Sequence, residues 1–130
     1  MNDTELERYS RHILLNEFDI VSQEKLSSAT ALMIGCGGLA NACAPILASA
    51  GLGHIIVCDG DTIELSNLQR QFAFTEADIG KHKAEVLKTY LQARNSQIQI
   101  SSIHQFVDET FLHDCLPQCD VIIDCSDNSR

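Results

Sequence analysis

A glycine-rich turn, Gly35-Cys36-Gly37-Gly38-Leu39-Ala40, is the first feature of the sequence that could support chemistry. It follows an apolar run at 31–34 that predicts a buried strand, and it opens an Ala- and Leu-rich segment that predicts a helix. Gly35 permits a tight turn, Gly37 lets the backbone approach a phosphate, and Ala40 allows close contact between helix and strand. Because free amides at the start of a helix attract anions, the turn predicts a phosphate-binding loop.

Two acidic residues follow the next apolar run, 54–58, which predicts a second strand. Asp59 lies 19 residues beyond Ala40, the spacing at which a carboxylate accepts hydrogen bonds from a ribose hydroxyl. Asp61 could orient the site, bind a metal ion or be an ordinary loop acid. The loop and Asp59 together fit any ligand that contains adenosine, including both ATP and NAD.

Amide and cationic side chains in the next stretch favour one of these ligands. The segment 66–72, Ser-Asn-Leu-Gln-Arg-Gln-Phe, contains Asn67 and Arg70, and Lys83 lies at the start of the following predicted helix. A pair of cations suits a triphosphate, whose charge must be neutralised during attack at phosphorus, whereas a dinucleotide oxidoreductase has no such need. Taken singly, a lysine at position 83 would more often be an ordinary surface residue of the helix.

The run Asp124-Cys125-Ser126-Asp127-Asn128 closes the last predicted strand. A carboxylate beside a phosphate site can hold Mg²⁺, which keeps several waters and takes few protein ligands. The alternative is a strand-end turn built on side-chain hydrogen bonds of aspartate and asparagine.

Alternating strands and helices must position these residues. The pattern β-α-β-α-β-α-β predicts a doubly wound, Rossmann-like α/β fold with a mainly parallel sheet of strand order 3-2-1-4. Ligands bind such a sheet at the carboxyl ends of its strands, at the switch point between the first and fourth. Pro45 conflicts with the first predicted helix, because an interior proline removes a hydrogen bond. The predicted strands are 31–34, 54–58, 97–103 and 120–125, and the predicted helices are 39–50, 81–94 and 109–116.

Charge and hydropathy limit the partners of this chain. A formal net charge of −9 over 130 residues argues against nonspecific binding of nucleic acid, which needs clustered Lys and Arg. No apolar run approaches the roughly 18–20 residues of a membrane helix. The first residues, 1–9, are acidic and polar, unlike a secretory signal. We therefore expect a single domain in the cytoplasm that binds neither nucleic acid nor membrane.

The sequence contains six cysteines, which we expect to be reduced core residues. Cys115 and Cys119 have His113 nearby and could be interpreted as a metal cluster. That interpretation is disfavoured because a lone pair lacks the four-ligand spacing of a zinc site.

Together these segments resemble the ubiquitin-activating superfamily, specifically its bacterial MoeB/ThiF branch. The resemblance implies that the C-terminal Gly-Gly carboxylate of a ubiquitin-like sulfur carrier, MoaD-like or ThiS-like, attacks the α-phosphate of ATP. Pyrophosphate then leaves and an acyl-adenylate forms. The similar pieces, in the family's order, are Arg8-Tyr9-Ser10-Arg11, Gly35-Cys36-Gly37-Gly38-Leu39, Asp59-Gly60-Asp61, Ser66-Asn67-Leu68-Gln69-Arg70-Gln71, Gly80-Lys81-His82-Lys83 and Asp124-Cys125-Ser126-Asp127-Asn128.

The resemblance also implies roles for individual residues. Asp59 would hold the ribose, with Asp61 beside it in the ATP site, and Asp127 would support Mg²⁺. The residues implied to contact the phosphates are Gly37, Gly38, Asn67, Arg70 and Lys83, and Gly35 belongs to the same ATP site. Those implied to act in catalysis are Arg11, Arg70, Lys83 and Asp127.

A homodimer follows from the same resemblance. Arg11 would reach across the dimer interface into the partner's site. We accordingly divide the chain into a helical N-terminal arm, residues 1–28, which makes the dimer contact, and an ATP-binding domain, residues 29–130. Positioning and electrostatics would dominate catalysis, because neither a carboxylate nucleophile nor pyrophosphate needs a strong general base.

The chain departs from the family in one large respect. Family members continue well beyond the position of Arg130, and that part brings the carrier-docking surface, zinc-binding C-x-x-C pairs in many members and sometimes a catalytic cysteine. We therefore expect this sequence to represent an N-terminal half that cannot complete catalysis alone, with zinc relevant only to the other half. A smaller departure is Ala40, which stands where the family usually has glycine.

Three other functions stay open at this point. An NAD-dependent oxidoreductase fragment would share the glycine loop and Asp59, and a non-catalytic scaffold could bind nucleotide or dimerise. A tRNA-modifying dehydratase of the same superfamily also activates a carboxylate with ATP. The sequence does not choose between molybdopterin and thiamin biosynthesis.

Overall fold

The computed structural model of the chain describes residues 20–126. Its centre is a sheet of four parallel strands in the order β3-β2-β1-β4. This confirms the predicted strand order and places the switch point between β1 and β4. The strands are β1 (Thr30–Ile34), β2 (His54–Cys58), β3 (Gln99–Ile103) and β4 (Val121–Asp124).

Helices connect the strands and cover the sheet. Short 3-10 turns occupy Leu65–Asn67, Glu76–Asp78 and Leu116–Gln118. No helix within residues 20–126 is long and apolar enough to cross a membrane. The α-helices are α1 (Ile20–Ser28), α2 (Gly38–Ala50), α3 (Lys83–Arg94) and α4 (Glu109–Cys115).

Two predicted boundaries were wrong by two residues because local hydrogen bonds override the periodic pattern. Helix α3 begins at Lys83 rather than at 81, since His82 is extended and pairs with Thr62 in an antiparallel bridge. Strand β3 begins at Gln99 rather than at 97, since the Gln97 amide donates to the Asn95 side chain in a turn. The conflict at Pro45 is resolved in favour of the helix, which continues through the proline.

Alternate strand residues pack on opposite faces of the sheet, as a parallel sheet buried on both sides requires. On one face, Met33 and Val57 pack in a core that includes the buried apolar residues of α2 and α3. On the other, Leu32 and Ile56 belong to a second cluster that includes Phe111 of α4. Helices therefore cover both faces, and the loops at the carboxyl ends of the strands stay open for a site.

Helix α1 packs against the same core as α2. The Gln23 side chain donates to the Ala50 carbonyl, and the amide of Gly53 donates to the carbonyl of Leu26. A Cβ on Gly53 would stand 1.7 Å from the Ser27 carbonyl oxygen, so only glycine allows this contact. The predicted division at residue 28 stays a prediction, because residues 1–19 lie outside the described part.

Candidate nucleotide site at the switch point

A polar cavity of about 520 Å³ lies at the carboxyl end of the sheet, beside β1 and β2. It opens where the sequence predicts convergence, next to the switch point between β1 and β4. Two predicted residues, Arg11 and Asp127, lie outside residues 20–126, and so does the Mg²⁺ site assigned to Asp127. The predicted site residues that line the cavity are Gly35, Gly37, Gly38, Asp59, Asp61, Asn67, Arg70 and Lys83.

Gly35 makes the tight turn that leads out of β1. Its φ is +90°, a conformation that L side chains rarely adopt. Its amide donates to the Cys58 carbonyl at 2.8 Å, and a Cβ would stand 2.9 Å from the Cys125 carbonyl oxygen. The loop is therefore held between the ends of β2 and β4, where no other residue fits without displacement.

Gly37 and Gly38 begin helix α2 without a side-chain cap. Gly37 is the extended N-cap residue, so the first amides of the helix have no side-chain acceptor. Such amides, together with the positive end of the helix dipole, favour a bound anion. Arg70 lies over this turn, with Nη1 3.3 Å from the position of a Cβ on Gly38. The side chains of Arg70 and Gln71, at the end of the segment 65–71, therefore lie beside the glycine loop.

Asp59 holds the glycine loop in place. Its carboxylate is nearly buried and accepts the Cys36 amide through Oδ2 and the Asp61 amide through Oδ1, each at 2.7 Å. A carboxylate has about four acceptor positions, so two remain for other donors. The predicted contact with a ribose is compatible with this arrangement and stays a prediction.

Two cations converge on the cavity from different segments. Lys83 is the first residue of α3 and only 7 % exposed, and its amide donates to the Asp61 carbonyl. Arg70 follows the 3-10 turn and is exposed. Among residues 20–126, no carboxylate forms an ion pair with either side chain. Because a buried cation needs a partner, this arrangement suits an anionic ligand.

The side-chain amide of Asn67 makes one hydrogen bond within the fold. Its Oδ1 accepts the Glu64 amide at 2.8 Å, closing a capping box around the 3-10 turn. This hydrogen bond fixes the orientation of the amide group and leaves its nitrogen for a ligand in the cavity.

Asn41 was missed by the sequence analysis, although its side chain connects two of the segments that form the site. Its nitrogen donates to the carbonyls of Cys36 and Gly37, and its oxygen accepts the Ala73 amide. The side chain thereby joins the glycine loop to the segment that follows Arg70. The available signal was a polar residue within an otherwise Ala- and Leu-rich helix, four positions after Gly37.

Replacing Asn41 with alanine is expected to lower the free energy of unfolding by about 3 kcal/mol, because it leaves the Cys36 carbonyl and the Ala73 amide without partners. The glycine loop would also lose its connection to the segment that follows Arg70, so ligand affinity should fall. Urea denaturation measures the first effect. Ser49→Ala, at an exposed position of the same helix, serves as the control and should change stability by less than about 0.5 kcal/mol.

The cysteines around the cavity are kept as neutral thiols. All six cysteines are free thiols. Burial, and then the negative charge of Asp59, raise the pKa of Cys58 to about 11, and the same two causes raise the pKa of Cys36 well above its ordinary value. Burial likewise raises the pKa of Cys125. Thiolates are the reactive form of cysteine, so these residues are core groups rather than nucleophiles.

Stability should therefore fall in alkaline solution. Cys58 has a higher pKa in the folded protein, about 11, than its ordinary value of 9.0. Its neutral thiol therefore contributes fully to the free energy of unfolding below pH 9, and this contribution is lost as the pH rises toward 11, because the unfolded chain loses the proton first. Urea denaturation of the wild type and of Cys58→Ala at several pH values checks this. The stability difference between the two proteins should shrink between pH 9 and 11, and parallel curves would contradict it.

The metal interpretation of Cys115 and Cys119 finds no support in the described part of the chain. Among residues 20–126, no group of three or more His, Cys, Asp or Glu side chains could hold a metal ion. Both cysteines instead pack in the second hydrophobic cluster, against the face of the sheet that α4 covers.

The fold is a doubly wound, Rossmann-like domain with a polar, cation-bearing cavity at its switch point. The chain belongs to the ThiF family, whose sequence profile matches residues 9–130. It is 41 % identical over 128 residues to the sulfur carrier protein ThiS adenylyltransferase of Escherichia coli, and 38 % identical over 128 residues to the molybdopterin-synthase adenylyltransferase of the same organism. Each alignment covers 98 % of this chain and 51 % of the relative, so the chain spans about half the length of these relatives.

Solved structures show the same likeness. E. coli MccB with succinimide has a TM-score of 0.85 and 41 % identity, covering 93 % of this chain and 38 % of that one. E. coli MccB with ATP has a TM-score of 0.77 and 42 % identity, covering 88 % of this chain and 35 % of that one.

Proposed function

We propose that this chain forms the ATP site of an adenylyltransferase that activates the C-terminal glycine carboxylate of a ubiquitin-like sulfur carrier, MoaD-like or ThiS-like. The central observation is the convergence of Arg70 and Lys83 on the cavity that the glycine loop lines, with no carboxylate partner among residues 20–126. Two such cations can neutralise part of the negative charge of a triphosphate. The relatives named above are adenylyltransferases and support the same reaction.

In this proposal the residues of this chain bind and orient ATP and neutralise the charge of its phosphates. A carboxylate oxygen of the carrier forms a bond to the α-phosphorus of ATP while the bond from that phosphorus to the pyrophosphate oxygen breaks. Negative charge develops on the leaving pyrophosphate, and Arg70 and Lys83 would stabilise it. Asp59 would fix the ribose, and the amides at Gly37 and Gly38 would hold phosphate oxygens.

Other parts of the proposal concern residues outside 20–126. Asp127 would support a Mg²⁺ ion that neutralises phosphate charge. Arg11 would act across a homodimer, as an arginine finger in the partner's site. Because the reaction consumes ATP, we propose a cytoplasmic location. We propose no role for zinc in this chain.

Ligand binding by the purified chain tests the proposed ATP site. Titration calorimetry with Mg-ATP, adenosine and NADH should show that ATP binds more tightly than adenosine and that NADH binds weakly. Tight binding of NADH without binding of ATP would overturn the proposal in favour of an oxidoreductase fragment.

ATP–pyrophosphate exchange tests the proposed reaction with a carrier, and it is measured in a form of the protein as long as its relatives, because the 130-residue chain is not expected to complete catalysis alone. Exchange should require a carrier ending in Gly-Gly, and the same carrier without its two terminal glycines is the matched control. Comparison of MoaD-like and ThiS-like carriers then identifies the pathway. Exchange that is independent of any carrier would contradict the proposed substrate.

A further inference from the structure

Helix α2 presents apolar side chains to solvent as well as to the core. Its thirteen residues include no charged side chain, although 21 % of the chain is charged. On the side that faces away from the sheet, Leu39 and Ile46 are 56 % and 70 % exposed, and the exposed residue between them is Ala42. A helix without a charged face is typical of a buried position, so this outer side is suited to contact with another surface.

Phe72 extends the same surface beside the nucleotide cavity. Its ring is 74 % exposed. The residues on both sides of it contact the start of α2, since the Ala73 amide donates to the Asn41 side chain and Arg70 lies beside the glycine turn. Leu39 itself lines the cavity. The surface, called the outer surface of α2 below, therefore adjoins the mouth of the cavity and comprises Leu39, Ala42, Ile46 and Phe72.

The outer surface of α2 combines a protruding side chain with a hollow. A shallow hollow of about 460 Å³ lies beside Ile46, between Pro45, Ser49 and Ala50 of the same helix and Arg94 of α3. An interface about a twofold axis uses the same patch on both copies, so the patch must be complementary to itself. A projecting Ile46 next to a hollow of this kind meets that requirement.

The charge of the chain also favours a second copy as the partner. Each copy has a formal net charge of −9, so two copies repel each other unless they meet where charge is absent. Helix α2 provides such a place, because it has neither acidic nor basic residues. A partner recognised by charge would instead require a charged face.

A strand added beyond β4 would not bring a helix to this side of the sheet. Right-handed crossovers place α2 on one face as the chain steps from β1 to β2, and α4 on the other face as it steps back from β3 to β4. A further step in the direction of β4 would place its crossover helix on the face of α4. The outer surface of α2 would therefore stay open.

We propose that two copies of this chain associate through the outer surface of α2, about a twofold axis, with Ile46 of each copy in the hollow of the other. Because Leu39 belongs to both the surface and the cavity, the interface lies beside the mouth of each nucleotide site. The proposed action of Arg11 across a homodimer requires contact at this position, and in that respect the inference rests on the proposed function.

Ile46→Glu tests the surface directly. A carboxylate in an apolar interface would be buried without a partner, so sedimentation equilibrium should show a dimer for the wild type and a monomer for this variant. Leu116→Glu is the matched control and should stay dimeric, because Leu116 is also a large, half-exposed apolar residue but follows α4. Circular dichroism should show that both variants fold. The milder Ile46→Ala should raise the dissociation constant of the dimer by about tenfold.

ATP binding by the same variants tests the link between the surface and the cavity. Loss of association removes the Arg11 of the second copy, so Ile46→Glu and Arg11→Ala should each raise the dissociation constant for Mg-ATP by about tenfold. The double variant should bind ATP no more weakly than either single variant. Losses that multiply would overturn the link, because Ile46 and Arg11 would then act independently.

A monomeric wild type, or an Ile46→Glu variant that stays dimeric, overturns the inference. If residues 1–19 of the same copy cover the surface, the wild type is monomeric and Ile46→Glu lowers its melting temperature. If the carrier covers it, the wild type is monomeric and Ile46→Glu weakens binding of the carrier. A wild type that dimerises through Ile46 but binds no ATP overturns only the proposed function, so the two failures are distinguishable.

Discussion

Lys83→Ala should raise the dissociation constant of the protein for Mg-ATP by about 10- to 100-fold, the value of a hydrogen bond to a charged group. The effect is large because Lys83 is only 7 % exposed, so its attraction for phosphate is weakly screened by water. Removal of the ammonium group would also leave Arg70 as the only cation among the described residues that line the cavity. Titration calorimetry measures the change directly.

Lys81→Ala is the matched control. Lys81 lies two residues earlier, is 62 % exposed and pairs with Asp78 at 3.6 Å, outside the nucleotide cavity. An exposed pair of this kind contributes little, so this variant should bind ATP with wild-type affinity. Equal losses in the two lysine variants would mean that general charge, rather than the position of Lys83, determines ATP affinity.

Comparison of ATP, AMP and adenosine as ligands makes the test of Lys83 more specific. Lys83→Ala should weaken the binding of ATP strongly, that of AMP less and that of adenosine hardly at all, because the proposed partner of the Lys83 ammonium group is phosphate. Arg70→Ala should follow the same order with a smaller effect, since the exposed guanidinium is better solvated. Loss of adenosine binding in either variant would indicate damage to the fold instead.

The element order and the sheet topology could be predicted from the sequence, because they depend on repeated local signals. Apolar runs near 31–34 and 54–58 form strands at those positions, and alternation with helices permits few topologies. The wrong boundaries at 81 and 97 depend on one or two local hydrogen bonds each, which the periodic pattern does not contain. Pro45 was a conflict in sequence terms, but the packed face of α2 keeps the helix intact.

The candidate site was predictable only where residue type and spacing coincide with a known chemical need. Asp59 and Lys83 meet that condition, and the structure brings both to one cavity. Asn41 does not, since its importance depends on which backbone groups lie opposite it in the fold. A lone amide in a sequence gives no sign of whether its partner is backbone, water or ligand.

Gly35→Ala should be the most damaging single methyl addition in the site. The new Cβ would adopt an unfavourable φ of +90° and would also stand 2.9 Å from the Cys125 carbonyl oxygen, a backbone atom that cannot turn away. Backbone strain and overpacking together should lower the free energy of unfolding by about 3 kcal/mol or more. The phosphate loop would shift as well, so ATP affinity should fall with stability.

Gly80→Ala separates these two causes. Gly80 has nearly the same φ, +89°, but a Cβ there would meet nothing within 4 Å in the described part of the chain. This variant should therefore lose only the backbone preference of glycine, about 1 kcal/mol, and should bind ATP like the wild type. Urea denaturation and ATP titration of both variants give the comparison. Equal destabilisation would show that φ alone requires glycine at position 35, and that close contact with the end of β4 does not constrain the loop.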